Sequence, residues 1–193
     1  MLNLSPKGLL TAYMHGIFPM ADPATGEIWW FRPDPRAILP IHGMHVSRSL
    51  RRVLRSGKFD VTVDRDFEGV MRGCADREET WISEDLIRAY TELFRMGYAH
   101  SIETWREGSL VGGVYGVSLG AAFMAESMFH RETDASKVAL HALVTRLAER
   151  GYELLDVQYQ TPHLASLGVI EISLAEYLRR LAVACRETRH FGD

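Results

Sequence analysis

Between residues 99 and 129 the chain runs three times through alternating side chains, with breaks at Glu107-Gly108 and Leu119-Gly120. A period of two is the mark of a half-buried strand. Short breaks containing glycine fold successive strands back on one another. Residues 99–106, 109–118 and 121–129 are therefore expected to form an antiparallel meander. In 134–150 the period changes to that of a helix, with Val138, Leu140, Leu143, Val144 and Leu147 on one stripe and Gly151 at its end. A strand over 153–159 and helices near 161–167 and 173–186 complete this half.

The first half reads less regularly. Ser5 and Pro6 suit the N-cap and first position of a helix that carries Leu9, Leu10 and Tyr13 and stops at Gly16. Residues 18–40 are rich in Pro, Gly, Asp and Trp, and Pro35 and Pro40 argue for irregular structure held by aromatic packing. A helix follows over 47–55, ending near Gly57, then a strand over 59–63 and a helix over 67–73. Ser83 caps a further helix with Glu84 and Asp85 in its positive first turn, closed by Gly97. The order strand–strand–strand–helix–strand–helix suits an α+β fold. We expect an acetyltransferase-like (GNAT-like) lobe over 63–193 and a smaller, irregular α/β lobe over 1–62.

At 193 residues with 47% apolar side chains, the chain has material for one ordinary core. Cys74 and Cys185 are the only cysteines and stand far apart, which argues for a reducing compartment and against a disulfide scaffold. The eight histidines form no metal-binding pattern, so no metal and no cofactor is expected. The start, 1–7, has no signal-peptide character, and no apolar run approaches the ~20 residues a membrane span needs. A cytoplasmic protein is expected. The net charge of −3 excludes a bulk polyanion binder and leaves a local basic patch as the route to nucleic acid.

Two strands carry polar side chains where apolar ones are expected. Simple alternation puts Glu126 between Met124 and Met128 on one face. A buried carboxylate needs a cation, a hydrogen-bond network or a raised pKa. It reads either as half of a structural ion pair, with Arg131 or Arg106, or as part of a site. In 153–159, Asp156 and Gln158 share a face about 7 Å apart. They read either as the solvated face of an edge strand or as a functional pair.

Arg48, Arg51, Arg52 and Arg55 recur at i, i+3, i+4 and i+7 with no acid among them, gathering four guanidinium groups on one helical face. Such runs are commonly just solvated faces. In a chain of net −3, four arginines without an intervening acid favour an RNA phosphate backbone. Trp29-Trp30-Phe31 and Trp81 can stack on a nucleobase. For Trp29 and Trp30, core packing has the larger claim.

An ordered set of motifs extends from Leu9 to Gly168. It includes Gly16-Ile17-Phe18-Pro19, Trp29-Trp30, Pro33-Asp34-Pro35-Arg36-Ala37, His45-Val46-Ser47-Arg48-Ser49 and Thr80-Trp81-Ile82. Glu126-Ser127-Met128-Phe129, Leu155-Asp156-Val157-Gln158 and Leu164-Ala165-Ser166-Leu167-Gly168 continue it. Each motif alone is weak, but the ordered set resembles the bacterial leucyl/phenylalanyl-tRNA–protein transferase family. The resemblance implies transfer of Leu or Phe, with Met as a further candidate, from aminoacyl-tRNA to proteins beginning with Arg or Lys, which creates a degradation signal. It implies that Asp156 and Gln158 act on the incoming α-ammonium and that Glu126 helps hold the acceptor. Trp81 would bind the terminal adenosine region, and Phe123 and Leu140 would wall an apolar aminoacyl pocket.

Met20 stands where many members carry a tryptophan that stacks on the terminal adenine. Val114 and Leu143 stand at pocket positions that align with larger or more flexible residues in the family, which leaves the preference among Leu, Phe and Met open. The chain starts close to the family's first helix, without the N-terminal extension of longer members. A neutral amide has almost no basicity, so Gln158 is expected to orient the amine, polarised by Asp156. The rival readings are an acyl-CoA-dependent N-acyltransferase and a non-catalytic RNA-binding module. The first is disfavoured because no glycine-rich phosphate loop opens the 134–150 helix. The second leaves Glu126, Asp156 and Gln158 without a task.

Overall fold

The computed structural model describes residues 2–192. The chain opens with helix α1 (Pro6–Met14), whose Ser5 hydroxyl accepts from the Gly8 amide at 3.2 Å. Strands β1 (Phe18–Ala21) and β2 (Ile28–Phe31) then form a hairpin, followed by β3 (Arg36–Ile38), α2 (Arg48–Ser56), β4 (Asp60–Val63), α3 (Phe67–Ala75) and α4 (Glu84–Arg95). The meander is β5 (Ala99–Arg106), β6 (Ser109–Leu119) and β7 (Ala122–His130). Then come α5 (Ala135–Glu149), β8 (Leu154–Gln158), α6 (Pro162–Ser166), β9 (Ile170–Ile172) and α7 (Leu174–Ala184).

Seven strands form one sheet in the order β4-β5-β6-β7-β8-β3-β9. β7 and β8 are parallel, joined by the α5 crossover, and the other neighbours are antiparallel. One face carries a cluster in which Leu9, Tyr13, Met71, Leu86, Met124 and Tyr177 meet. The other packs Ile102, Val114, Phe123 and Leu155 against Leu140, Leu143 and Leu147 of α5. α2 lies over the start of α5 through Leu50, Phe59, Val111 and Val138.

The structure corrects the reading of 18–40 as irregular. β1 and β2 pair from Phe18↔Phe31 to Ala21↔Ile28, and Pro19 is tolerated because β1 has a neighbour on one side only. β3 is three residues long and enters the sheet between β8 and β9, far away in sequence. Local periodicity carries no trace of such a pairing. β3 and β4, both from the first third of the chain, belong to the main sheet. Leu9, Tyr13 and Phe18 share their apolar cluster with Met124 and Leu154 of that sheet. No helix among the described residues is long and apolar enough to cross a membrane.

Candidate active site

The meander departs from simple alternation at one residue. Tyr115 of β6 pairs with Ser127 and Gly116 with Ala125, so Glu126 is an extra residue on β7. A bulge re-aims the side chain at the insertion and reverses the faces beyond it. Met128 accordingly packs with the Phe123 cluster and Phe129 with the Met124 cluster, opposite to the alternation expected from sequence. Glycine opposite the bulge is required, because a Cβ on Gly116 would lie 2.3 Å from the Met124 carbonyl oxygen.

β7 and β8 run in register through Ala122↔Leu154, Phe123↔Leu155 and Met124↔Asp156, and their pairing ends there. Beyond it the Glu126 bulge redirects β7, and Gln158 sits in the left-handed region at φ 60°. The strands part, and a cleft of about 340 Å³ opens between them. Val114, Ala125, Met128, Leu140 and Val157 give it apolar walls, while Glu126 and Gln158 supply polar groups. A second cleft of about 360 Å³ adjoins it, lined by Trp29, Phe31, Asp22 and Glu79, and the two share Met20 and Trp81 as a common wall. Trp29 is 57% exposed, which overturns its core assignment. It pairs with Met20 across the hairpin and shares that outer face, whereas Trp30 packs on the core.

Asp156 is not on a solvated edge. β8 lies inside the sheet, and the carboxylate is fully buried beneath the cleft. Arg36 of β3, equally buried, meets it at two points, Nε–Oδ1 2.8 Å and Nη2–Oδ2 2.5 Å. The Tyr177 hydroxyl donates to Oδ2 at 2.8 Å, and the Gln158 backbone N–H donates to Oδ1 at 2.9 Å. The guanidinium also donates to the Gly16 carbonyl at 3.1 Å and lies over the rings of Phe18 and Tyr177. Burial works against its charge, but the hydrogen bonds and charge of Asp156 outweigh it and hold the arginine above its ordinary pKa. Asp156 therefore acts on the backbone of Gln158 and fixes its left-handed turn. The expected side-chain polarisation of Gln158 by Asp156 is replaced by this backbone contact.

The Gln158 amide instead donates to Glu126 Oε1 at 3.3 Å, and the Tyr90 hydroxyl donates to Oε2 at 3.4 Å. Tyr90 in turn bonds Tyr13, both buried. Neither expected arginine partner pairs with Glu126, since Arg106 bonds Glu132 and Arg131 lies beside Asp76. Among the described residues no cation forms an ion pair with the Glu126 carboxylate. Burial pushes it up to about 8, assisted by the charge of Asp156 and opposed by the tyrosine hydrogen bonds and Arg36.

The sequence-based candidates thus divide by place. Met20, Trp81, Val114, Glu126, Leu140 and Gln158 line the first cleft. Asp156 lies beneath it. Phe123 and Leu143 do not line it; both are buried in the α5 cluster, where Phe123 stacks on Phe191 at 5.0 Å. Arg48, Arg51, Arg52 and Arg55 are exposed on α2, away from the cleft, with no ion pair to an acid among the described residues. Arg36, Tyr177, Tyr90 and Tyr13 were not identified as site residues. The available signal was the need of a buried Asp156 for a cation.

The seven-stranded sheet, splayed between β7 and β8, has a GNAT-like fold. A GCN5-related N-acetyltransferase from Kribbella flavida matches the fold with a TM-score of 0.50 at 11% identity, covering 87% of this chain and 61% of that one. The family model described as leucyl/phenylalanyl-tRNA protein transferase matches residues 38–182, and that of its N-terminal domain matches 3–34. Relatives bearing the name leucyl/phenylalanyl-tRNA–protein transferase include one from Rubrobacter xylanophilus, 56% identical over 99% of this chain and 100% of the relative. One from Ruegeria pomeroyi is 51% identical over 99% of this chain and 91% of its own length. The chain belongs to the leucyl/phenylalanyl-tRNA–protein transferase family and is an enzyme of aminoacyl transfer.

Proposed function

We propose that this enzyme moves Leu or Phe from aminoacyl-tRNA to the α-amine of proteins beginning with Arg or Lys, producing a degradation signal in the cytoplasm. The observation that carries this reading is the pair of adjoining clefts, one apolar and one aromatic, meeting at Met20 and Trp81. The first suits a branched or aromatic aminoacyl side chain. Each methylene buried against Val114, Leu140 and Val157 is worth about 0.8 kcal/mol, so shape sets the preference and Met also fits. The second offers Trp29, Trp81 and the Met20 thioether to a terminal adenosine. The exposed arginines of α2 contact the tRNA phosphates, on a helix that rests upon α5, which supplies Leu140.

Glu126 gives the cleft a carboxylate for an α-ammonium, and Gln158 orients it. Holding amine and activated ester together supplies most of the acceleration, since effective molarity alone is worth ~7–11 kcal/mol. Acyl-CoA is a poorer fit. Asp134 stands at the N-cap position of α5 without a side-chain bond to its amides and pairs with Lys137 at 2.8 Å, placing a negative charge beside the site where a pyrophosphate would bind. The test is transfer of labelled phenylalanine from charged tRNA to an Arg-starting peptide by wild type and Asp156→Ala. Transfer by wild type and its collapse in the variant support the reading; no transfer by wild type refutes it.

A further inference from the structure

Peptide-bond formation at neutral pH needs a proton removed from the acceptor, and the groups in this cleft differ sharply in their ability to take it. Asp156 is fully buried and already receives two donors from Arg36, one from Tyr177 and one from the Gln158 backbone. It cannot meet a substrate. Gln158 is an amide and has almost no basicity. Glu126 is the carboxylate the first cleft presents, aimed there by the β7 bulge and contacted by two neutral donors.

We infer that Glu126 is a catalytic residue, the base that takes the proton from the acceptor's α-ammonium; this rests on the aminoacyl transfer proposed above. The groups that face it are Tyr13 from α1, Tyr90 from α4, Tyr115 from β6 and Gln158 from β8, with Arg36 and Asp156 beyond them. Arg77 also lines the cleft and donates to Ser127 at 3.2 Å. His163 of α6 lines the exposed side and is the rival base.

The proton count closes in three steps. The carboxylate removes one proton from the ammonium, leaving Glu126 neutral and the amine with its lone pair. That pair forms the C–N bond at the ester carbonyl carbon. The C–O bond to the ribose then breaks as the carboxyl returns its proton to the leaving oxygen, and the nitrogen's second surplus proton passes through the carboxylate to solvent. One proton is released per peptide bond.

Burial without a cation suits Glu126 to this exchange, because its raised affinity for a proton approaches that of an α-amine, near 8. When an ammonium binds, its positive charge lowers the proton affinity of the carboxyl beside it, so the pair sheds one proton and the singly protonated, reactive complex persists below pH 8. Without the carboxylate, only acceptor already neutral in solution reacts, and the rate must fall tenfold per pH unit below the amine's pKa.

The experiment is single-turnover transfer of labelled phenylalanine, at saturating charged tRNA and Arg-starting peptide, from pH 6 to 9. Wild type should show a nearly flat rate below pH 8. Glu126→Gln should show the steep slope, with a loss of about 10²-fold at pH 7, in the range of a general base, and Glu126→Asp should restore part of the flat limb. A hydrazino acceptor, neutral at pH 7, should recover most of the rate in Glu126→Gln, which also demonstrates that the variant is folded. Parallel profiles for wild type and Glu126→Gln, an equal loss with both acceptors, or the same change of slope in His163→Ala would overturn the assignment. If wild type transfers nothing to the peptide, the function and this role fall together; if it transfers and the profiles are parallel, only this role falls.

Discussion

Arg36 and Asp156 form a two-point ion pair in which neither side chain reaches solvent, tying β3 to β8 directly beneath the cleft. A buried ion pair seldom adds net stability over a well-packed apolar pair, because both charges lose their hydration. Its effect here is geometric. Asp156 fixes the Gln158 backbone in its left-handed turn, and Arg36 anchors Asp156 while bonding the Gly16 carbonyl.

Breaking the pair from one side should therefore be severe. Arg36→Met strands a buried carboxylate and is expected to cost ~3–5 kcal/mol in denaturant unfolding. The double variant Arg36→Met/Asp156→Leu should regain most of that stability yet remain inactive in aminoacyl transfer. Recovery of both stability and transfer in the double variant would contradict a positioning role.

Glu126 should cost stability as it ionises. Its folded pKa, about 8, lies above the ordinary carboxylate value, so its contribution to stability is complete below the unfolded pKa near 4.5 and is lost as pH rises towards 8. Glu126→Gln removes that dependence. Each tenfold change in proton affinity is worth about 1.4 kcal/mol, so a shift from near 4.5 to about 8 should give the variant on the order of 5 kcal/mol over wild type at pH 8.5 and almost nothing at pH 4.5. Calorimetric melts across this range check it; a constant gap would refute the raised pKa.

The four arginines of α2 should act additively and electrostatically. Replacing Arg51 or Arg55 by alanine should weaken tRNA binding without affecting transfer at saturating tRNA. Each substitution should lower the slope of log affinity against log salt by about one, as for a lost phosphate contact. A change in turnover with an unaltered slope would place these residues elsewhere in the mechanism.

Met20 forms the wall common to both clefts and shares the outer face of the hairpin with Trp29. A thioether packs on a base less strongly than an indole does. Stacking on an aromatic side chain is worth about 1–3 kcal/mol per base. Met20→Trp should accordingly tighten binding of an aminoacyl-adenosine ester severalfold, read by calorimetric titration. An unchanged or weaker affinity would remove the adenosine from this wall.

Much of this was legible in residue order. Ser5, Ser47 and Ser83 mark three helix starts that the structure confirms by hydroxyl-to-amide bonds. The alternating runs gave the meander because neighbouring strands are joined by short turns. β3 was not legible, since a three-residue strand paired with β8 and β9 leaves no local period. The bulge was hidden for a different reason. One inserted residue leaves the apolar composition unchanged and only reverses which faces Met128 and Phe129 occupy. The polar centre was visible as Glu126, Asp156 and Gln158, but its division into a buried anchor and a cleft-facing pair depends on Arg36, about 120 residues away along the chain.

In the proposed reaction, one cleft brings an activated Leu or Phe to the α-amine of a basic N-terminus. Its most direct measurement is the initial rate of phenylalanine transfer from charged tRNA to peptides differing only in the first residue, Arg, Lys, Ala or Glu. Transfer to Arg and Lys should be fast, with little to Ala or Glu. Equal rates for all four, or transfer to none, would contradict it.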